Sequence, residues 1–168
     1  MKAKQKKSII TKGMFSSRTD ERATPVHLFN KNILQENYKE FVSFMEKDLR
    51  VGYKHNKRST EALAYSLKIK DLTEIKELIE LAIVNVAREI AQGSGTTHEK
   101  FERIATLYNN QVILSHRTSQ SILLQQYSTP APIAYLMGVF CCLPNLHKTG
   151  GIAFEPSAGN GLLTIAAR

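Results

Sequence analysis

The chain has 168 residues, a formal net charge of +8, 42% apolar residues, no tryptophan and two cysteines. That length supports one domain and a fraction of another, with enough chain to bury a core. No apolar run approaches bilayer length and no signal-peptide core follows the first lysines, so the expectation is a soluble, cytoplasmic protein without membrane or export segments. The cysteines are adjacent and no CxxC or His/Cys spacing occurs, which argues against a disulfide framework and against a metal site.

Residues 1–29 are expected to form a basic tail. Lys2, Lys4, Lys6, Lys7, Lys12, Arg18 and Arg22 stand against only Asp20 and Glu21, and so charged a segment with little apolar content is compositionally disordered. Such a tail binds DNA by counterion release without reading sequence, or simply keeps the chain soluble; composition leaves both open.

Residues 30–125 are expected to form a helical domain. Ile33, Leu34, Phe41, Val42, Met45 and Leu49 share one face between Lys31 and Arg50, with Asn30 as cap. Val51–Ser59 (VGYKHNKRS) reads as a loop. Its Lys54, His55, Lys57 and Arg58 can touch a phosphate backbone, but a solvated loop explains them more economically. A short helix from Thr60 to Lys68 comes next, capped by Thr60. Asp71-Leu72-Thr73-Glu74 has capping-box spacing and opens the clearest helix, whose stripe is Leu72, Ile75, Leu78, Ile79, Ala82, Ile83, Val86 and Ile90. Packing alone explains the stripe. Each such side chain contributes about 1.5 to 3 kcal/mol on burial, which makes this helix the expected centre of the core. Gln92–Gly95 ends it with a glycine able to take the left-handed cap conformation, and Thr96–Glu99 is a second capping box. Phe101, Ile104, Ala105, Leu107 and Tyr108 carry the next helix to about Asn109. His98 reads as a solvated first-turn residue, and His27, His55 and His147 have no second group that marks a catalytic base. Beyond the polar break at Asn109–Gln111, Val112–Leu114 reads as a short strand or turn and Thr118–Gln125 as a helix. Arg117 serves either a phosphate or cofactor carboxylate, or ties the helical domain to the residues after Gln125.

Residues 126–168 change character. Thr129 is expected to cap a helix with Pro130 at its first position, a core face of Ile133, Leu136, Met137 and Phe140, and a stop at Leu143-Pro144. Cys141 and Cys142 are expected there as buried free thiols. Gly150-Gly151 is a turn, Ile152-Ala153-Phe154 a short buried strand, Glu155 to Gly161 a tight loop, and Leu162 to Ala167 the start of a helix. Strand, glycine loop and helix open an α/β nucleotide-binding unit. A phosphate-gripping loop is excluded because Leu162, not Lys, follows Gly161, and a dinucleotide loop fits poorly with Thr164 and Glu155 in place. A carboxylate at the strand end suits a ligand with a cationic group, such as the ammonium of S-adenosylmethionine.

Tyr127-Ser128-Thr129-Pro130 followed by Glu155-Pro156-Ser157-Ala158-Gly159-Asn160-Gly161 resembles the paired cofactor motifs of S-adenosylmethionine-dependent DNA adenine-N6 methyltransferases. The run from Tyr108 through Pro130 is similar to the methylase domains of plasmid and phage helicase-methylase proteins. The resemblance begins at Tyr108 and does not extend to the residues before it. It implies a mainly α chain whose helical domain is followed by the first helix, strand and glycine loop of a Rossmann-like methyltransferase domain. It implies cofactor binding by Tyr127, Ser128, Thr129, Pro130, Glu155, Pro156, Ser157, Gly159, Asn160 and Gly161. In that role Thr129 holds the methionine carboxylate, Glu155 faces the ammonium, and Gly159 and Gly161 let the backbone pass close to the ligand. The family's Asn/Asp-Pro-Pro-Tyr/Phe motif and its ribose-binding acid do not occur in these residues. The chain therefore reads as the front portion of such an enzyme, inactive alone, whether a cut piece, a truncated gene or a split subunit. DNA and the remainder of the domain, or a partner subunit, are the expected partners, and no metal is required. The competing reading is a non-catalytic DNA-binding or assembly module.

Overall fold

The computed structural model describes residues 25–112, 129–156 and 159–167, with side chains from Gln35 onward. Its helices are α1 (Pro25–Arg50), α2 (Lys57–Ser66), α3 (Leu72–Gln92), α4 (Thr97–Asn110), α5 (Ala131–Phe140) and the single turn α6 (Leu146–Thr149), with 3-10 turns at Leu143–Asn145 and Leu162–Thr164. The protein is mainly helical, and no strand occurs among the described residues.

α3 is the element on which α1, α4 and α5 pack. Asp71 starts it by accepting a hydrogen bond from the Thr73 amide at 2.7 Å. The expected residues Ile75, Ile79, Ala82, Ile83, Val86 and Ile90 are buried, while Leu72 and Leu78 are half-buried. Val84, Ala87 and Ala91 are buried as well, so the buried surface is wider than one stripe, as three neighbouring helices require. α1 contributes Phe41, Val42, Met45 and Leu49, and Arg50 at its end donates to both carboxylate oxygens of Glu89 (2.9 and 2.6 Å) and to Glu46 (2.9 Å).

Several boundaries differ from expectation. α1 begins at Pro25, inside the span read as tail, so Asn30 lies within the helix and is no cap; proline suits a first helical position. α2 starts at Lys57 rather than Thr60, because Asn56 and Ser59 form a reciprocal capping box. Thr60 is then an interior residue, fully buried, its hydroxyl donating to the Asn56 carbonyl at 3.0 Å. Gly93 caps α3 in an extended conformation (φ −68°, ψ −174°), and the left-handed residue is Gly95. The capping box at Thr96 and Glu99 is formed in both directions. The segments read as a strand or turn beyond Val112, as a helix at Thr118–Gln125, and as the basic tail up to Thr24 lie outside the described residues, as do the side chains of Ile33 and Leu34.

α5 carries the largest correction. Its buried face is Ala131, Ala134, Tyr135 and Gly138, whereas Ile133, Met137 and Phe140 (81% exposed) point away from the core and Leu136 is half-buried. Small residues win the inward face because α5 lies very close to its neighbours: a Cβ on Gly138 would sit 2.7 Å from the Ala166 Cβ. Thr129 is not the cap either; Pro130 holds that position and the helix begins at Ala131. Cys141 and Cys142 are free but exposed, in the turn after α5, with Cys142 at φ +57°. Ile152 (93% exposed), Ala153 and Phe154 (87% exposed) are neither buried nor paired. A strand forms only where a neighbouring strand takes its backbone hydrogen bonds, and the described residues supply none.

Candidate functional site

The second glycine-rich segment, residues 159–167, lies on α3. Asn160 donates from Nδ2 to Glu77 Oε2 (3.0 Å) and Glu80 Oε2 (3.3 Å). Arg88 Nη2 donates to Thr164 Oγ1 at 3.4 Å, and that hydroxyl donates to the Gly161 carbonyl at 2.8 Å. Gln92 Nε2 donates to the Ala167 carbonyl at 3.0 Å. Below these polar contacts Ile165 and Ala166 are fully buried, and the 3-10 turn Leu162–Thr164 packs on α5. The helix expected from Leu162 onward is, among the described residues, only the 3-10 turn Leu162–Thr164 followed by turn residues.

The sequence places α3 polar residues off the apolar stripe and leaves them to solvent. Glu77, Glu80, Arg88 and Gln92 recur at spacings of three or four and multiples of four, which is one row of a helix. The spacing marks the row but not what covers it; the structure gives it a partner in residues 160–167.

The two glycines of the loop have separate tasks. Both are left-handed, Gly159 at φ +49° and Gly161 at φ +81°. A Cβ at Gly161 would meet Arg88 Nη2 at 3.3 Å and Thr164 Oγ1 at 3.4 Å, so this glycine admits the guanidinium that pins the loop. A Cβ at Gly159 would meet nothing within 4 Å. Gly159 is exposed backbone beside open space, where a ligand can approach the main chain.

Of the expected cofactor residues, Thr129, Glu155, Asn160 and Gly161 are half-buried and Pro130, Pro156 and Gly159 are exposed; Tyr127, Ser128 and Ser157 lie outside the described residues, as does Arg117. The helix that Thr129 and Pro130 precede and the turn that Gly161 precedes are in contact, so the two motifs belong to one packed unit. Tyr135 fixes α5 from the other side. It is 3% exposed, burial pushes its hydroxyl up from the usual tyrosine range, and a hydrogen bond from Thr97 at the start of α4 partly offsets this.

Beside the loop is a cavity of about 360 Å³ between α3 and the end of α4, lined among others by Lys76, Glu80, Ile83, Tyr108 and Gln111. None of the described cofactor residues is among its lining residues, but Glu80 both borders it and holds Asn160. Of the histidines, His98 is exposed in the first turn of α4, as expected. His55 departs from expectation: its side chain is 8% exposed, Nε2 donates to Asp48 Oδ2 at 2.7 Å, and Tyr53 meets its ring edge-on at 4.7 Å. Among the described residues no group of three His, Cys, Asp or Glu is placed to hold a metal ion, and no helix is long and apolar enough to cross a membrane.

No family model, curated protein or solved structure matches this chain.

Proposed function

We propose that this chain carries the methionine-end cofactor site of an S-adenosylmethionine-dependent DNA adenine-N6 methyltransferase and lacks the target-base site, so that it transfers no methyl group by itself. The observation that supports this reading most is Gly159. It is a left-handed glycine in open space, on a loop held from behind by Asn160 and Arg88, which is what close approach of a ligand to backbone requires. Thr129 offers a hydroxyl and Glu155 a carboxylate, respectively suited to the carboxylate and the ammonium of an amino-acid moiety. Bound S-adenosylmethionine supplies an activated methyl group on a sulfonium. The residues of this chain orient it, and α3 keeps the loop in place while they do.

The second reading, an assembly module that pairs with a separate catalytic remainder, is favoured by the exposure of Ile152 and Phe154 and of one face of α5.

The test is cofactor affinity by calorimetry in wild type, Thr129→Val, Glu155→Ala and Ile83→Ala. Binding should be weak in wild type, since half a pocket must still offset the full cost of immobilising the ligand. Glu155→Ala should weaken it by roughly one to two further orders of magnitude, in line with about 1.5 to 3 kcal/mol for a charge-assisted contact. Thr129→Val should weaken it less, and Ile83→Ala should leave it intact in the molecules that stay folded. Wild-type affinity in both motif variants would remove the residue assignments.

A further inference from the structure

The excess positive charge of the described residues falls in one stretch of the sequence. Residues 51–70 contain Lys54, Lys57, Arg58, Lys68 and Lys70 against the single acid Glu61. α1 balances four cations against four acids, and α3 has four acids against two cations. From this placement we infer that the turn between α1 and α2, through Lys54, Lys57 and Arg58, is a contact surface for the phosphate backbone of a nucleic acid.

Helix stability does not account for Lys54 or Arg58, and it accounts for Lys57 only through its pair with Glu61 one turn on. Lys57 and Arg58 occupy the first turn of α2, where the helix dipole disfavours cations and where no acidic residue stands. Of the three, only Lys57 has an acidic partner among the described residues, Glu61 at 3.8 Å. Lys54, Lys57 and Arg58 are all exposed.

The backbone that carries them is held. His55 is tucked against Asp48, whose carboxylate accepts from its ring, and Tyr53 meets the ring edge-on. The Asn56–Ser59 capping box fixes the step into α2, with Asn56 N donating to Ser59 Oγ at 3.2 Å and Ser59 N to Asn56 Oδ1 at 2.9 Å. Three cations on an ordered turn meet an extended polyanion with less ordering cost than the same charges on a flexible loop. Phosphate contacts of this kind position a protein on nucleic acid without reading bases.

The test uses the full 168-residue chain and a fluorescent mixed-sequence DNA duplex, titrated by anisotropy over a series of salt concentrations. The variant Lys54→Gln/Lys57→Gln/Arg58→Gln is compared with Lys39→Gln/Lys47→Gln/Lys148→Gln, which removes equal charge from other exposed positions. Circular dichroism verifies that both remain folded. If each of the three cations meets a phosphate, the slope of log affinity against log salt should be shallower by about 2 to 3 in the first variant than in the second, at roughly 0.9 per phosphate neutralised. Equal slopes would overturn the proposal, as would absence of wild-type binding. Competition by polyglutamate as effective as that by DNA would assign the surface to acidic polypeptides instead, and so also overturn it. The proposal shares the DNA partner with the methyltransferase reading but rests on charge placement. Equal slopes with cofactor binding intact would sink the turn alone, and a shallower slope without cofactor binding would sink the cofactor site alone.

Discussion

Asn160 joins the glycine loop to the helical body through one amide shared by two carboxylates, Glu77 and Glu80. Removing it with Asn160→Ala should cost about 1 kcal/mol in net hydrogen bonding and release the loop locally. Hydrogen exchange is the direct measurement: amides from Gly161 to Ile165 should exchange faster while those of α3 keep their protection, and unchanged exchange in the loop would contradict the docking. The paired glycines separate at the same scale. Alanine at either position incurs roughly 1 to 2 kcal/mol of left-handed strain, but only at Gly161 does the new methyl group crowd Arg88. Gly161→Ala should therefore lower the melting temperature more than Gly159→Ala does. Tyr38 gives a residue-level pH dependence. Burial first, then a hydrogen bond to Glu74 and the charges of Glu74 and Asp71, push its hydroxyl up to about 12. The folded chain keeps that proton while an unfolded tyrosine loses it near pH 10, about the ordinary value. Its contribution is thus complete below pH ~10 and is lost as pH rises through about 12. Tyr38→Phe should flatten the fall in stability over that window.

At the scale of elements, α3 and α5 are stabilised by opposite means. α3 is a helix of large side chains, and Ile83→Ala should open a cavity and destabilise by about 2 to 5 kcal/mol, measured by urea unfolding. α5 is held by small residues at close range, so Gly138→Ala should destabilise by about 1 to 3 kcal/mol through overpacking, although alanine is the better helix former by about 1 kcal/mol. A stabilised Gly138→Ala would show that α5 and the segment at Ala166 are not in contact. This contrast explains what the sequence revealed. The α3 stripe, its Asp71 cap and the Thr96–Glu99 box follow local rules of period and spacing, and all are present. The inward face of α5 does not follow such a rule. Ile133, Met137 and Phe140 are the apolar residues that a burial argument selects, but which face turns inward was decided by a neighbour distant in sequence, Ala166. The same holds for the row Glu77, Glu80, Arg88 and Gln92, whose partners lie beyond residue 159. Thr60 and Asn56 show a third kind of difference, in which two neighbouring residues can both cap and the side-chain partner three residues on, Ser59, decides.

At the scale of the molecule, the described residues place a nearly neutral helical core, a cationic turn and a loop of candidate cofactor residues in one packed chain. The loop motifs sit on elements in contact, α5 and the turn at Leu162–Thr164, and both rest on α3. The helical part is therefore a platform for the loop as well as a fold of its own. On the proposed reading, the loop and the segment before α5 accept the amino-acid end of S-adenosylmethionine. The most direct measurement is a titration of the isotope-labelled chain with S-adenosylmethionine followed by backbone amide NMR. Weak saturable binding is expected, with a Kd on the order of 1 mM, and shifts at Thr129, Glu155, Gly159 and Gly161 that Glu155→Ala suppresses. Shifts confined to α1 and α2, or no shift at those four amides at the highest ligand concentration, would contradict it.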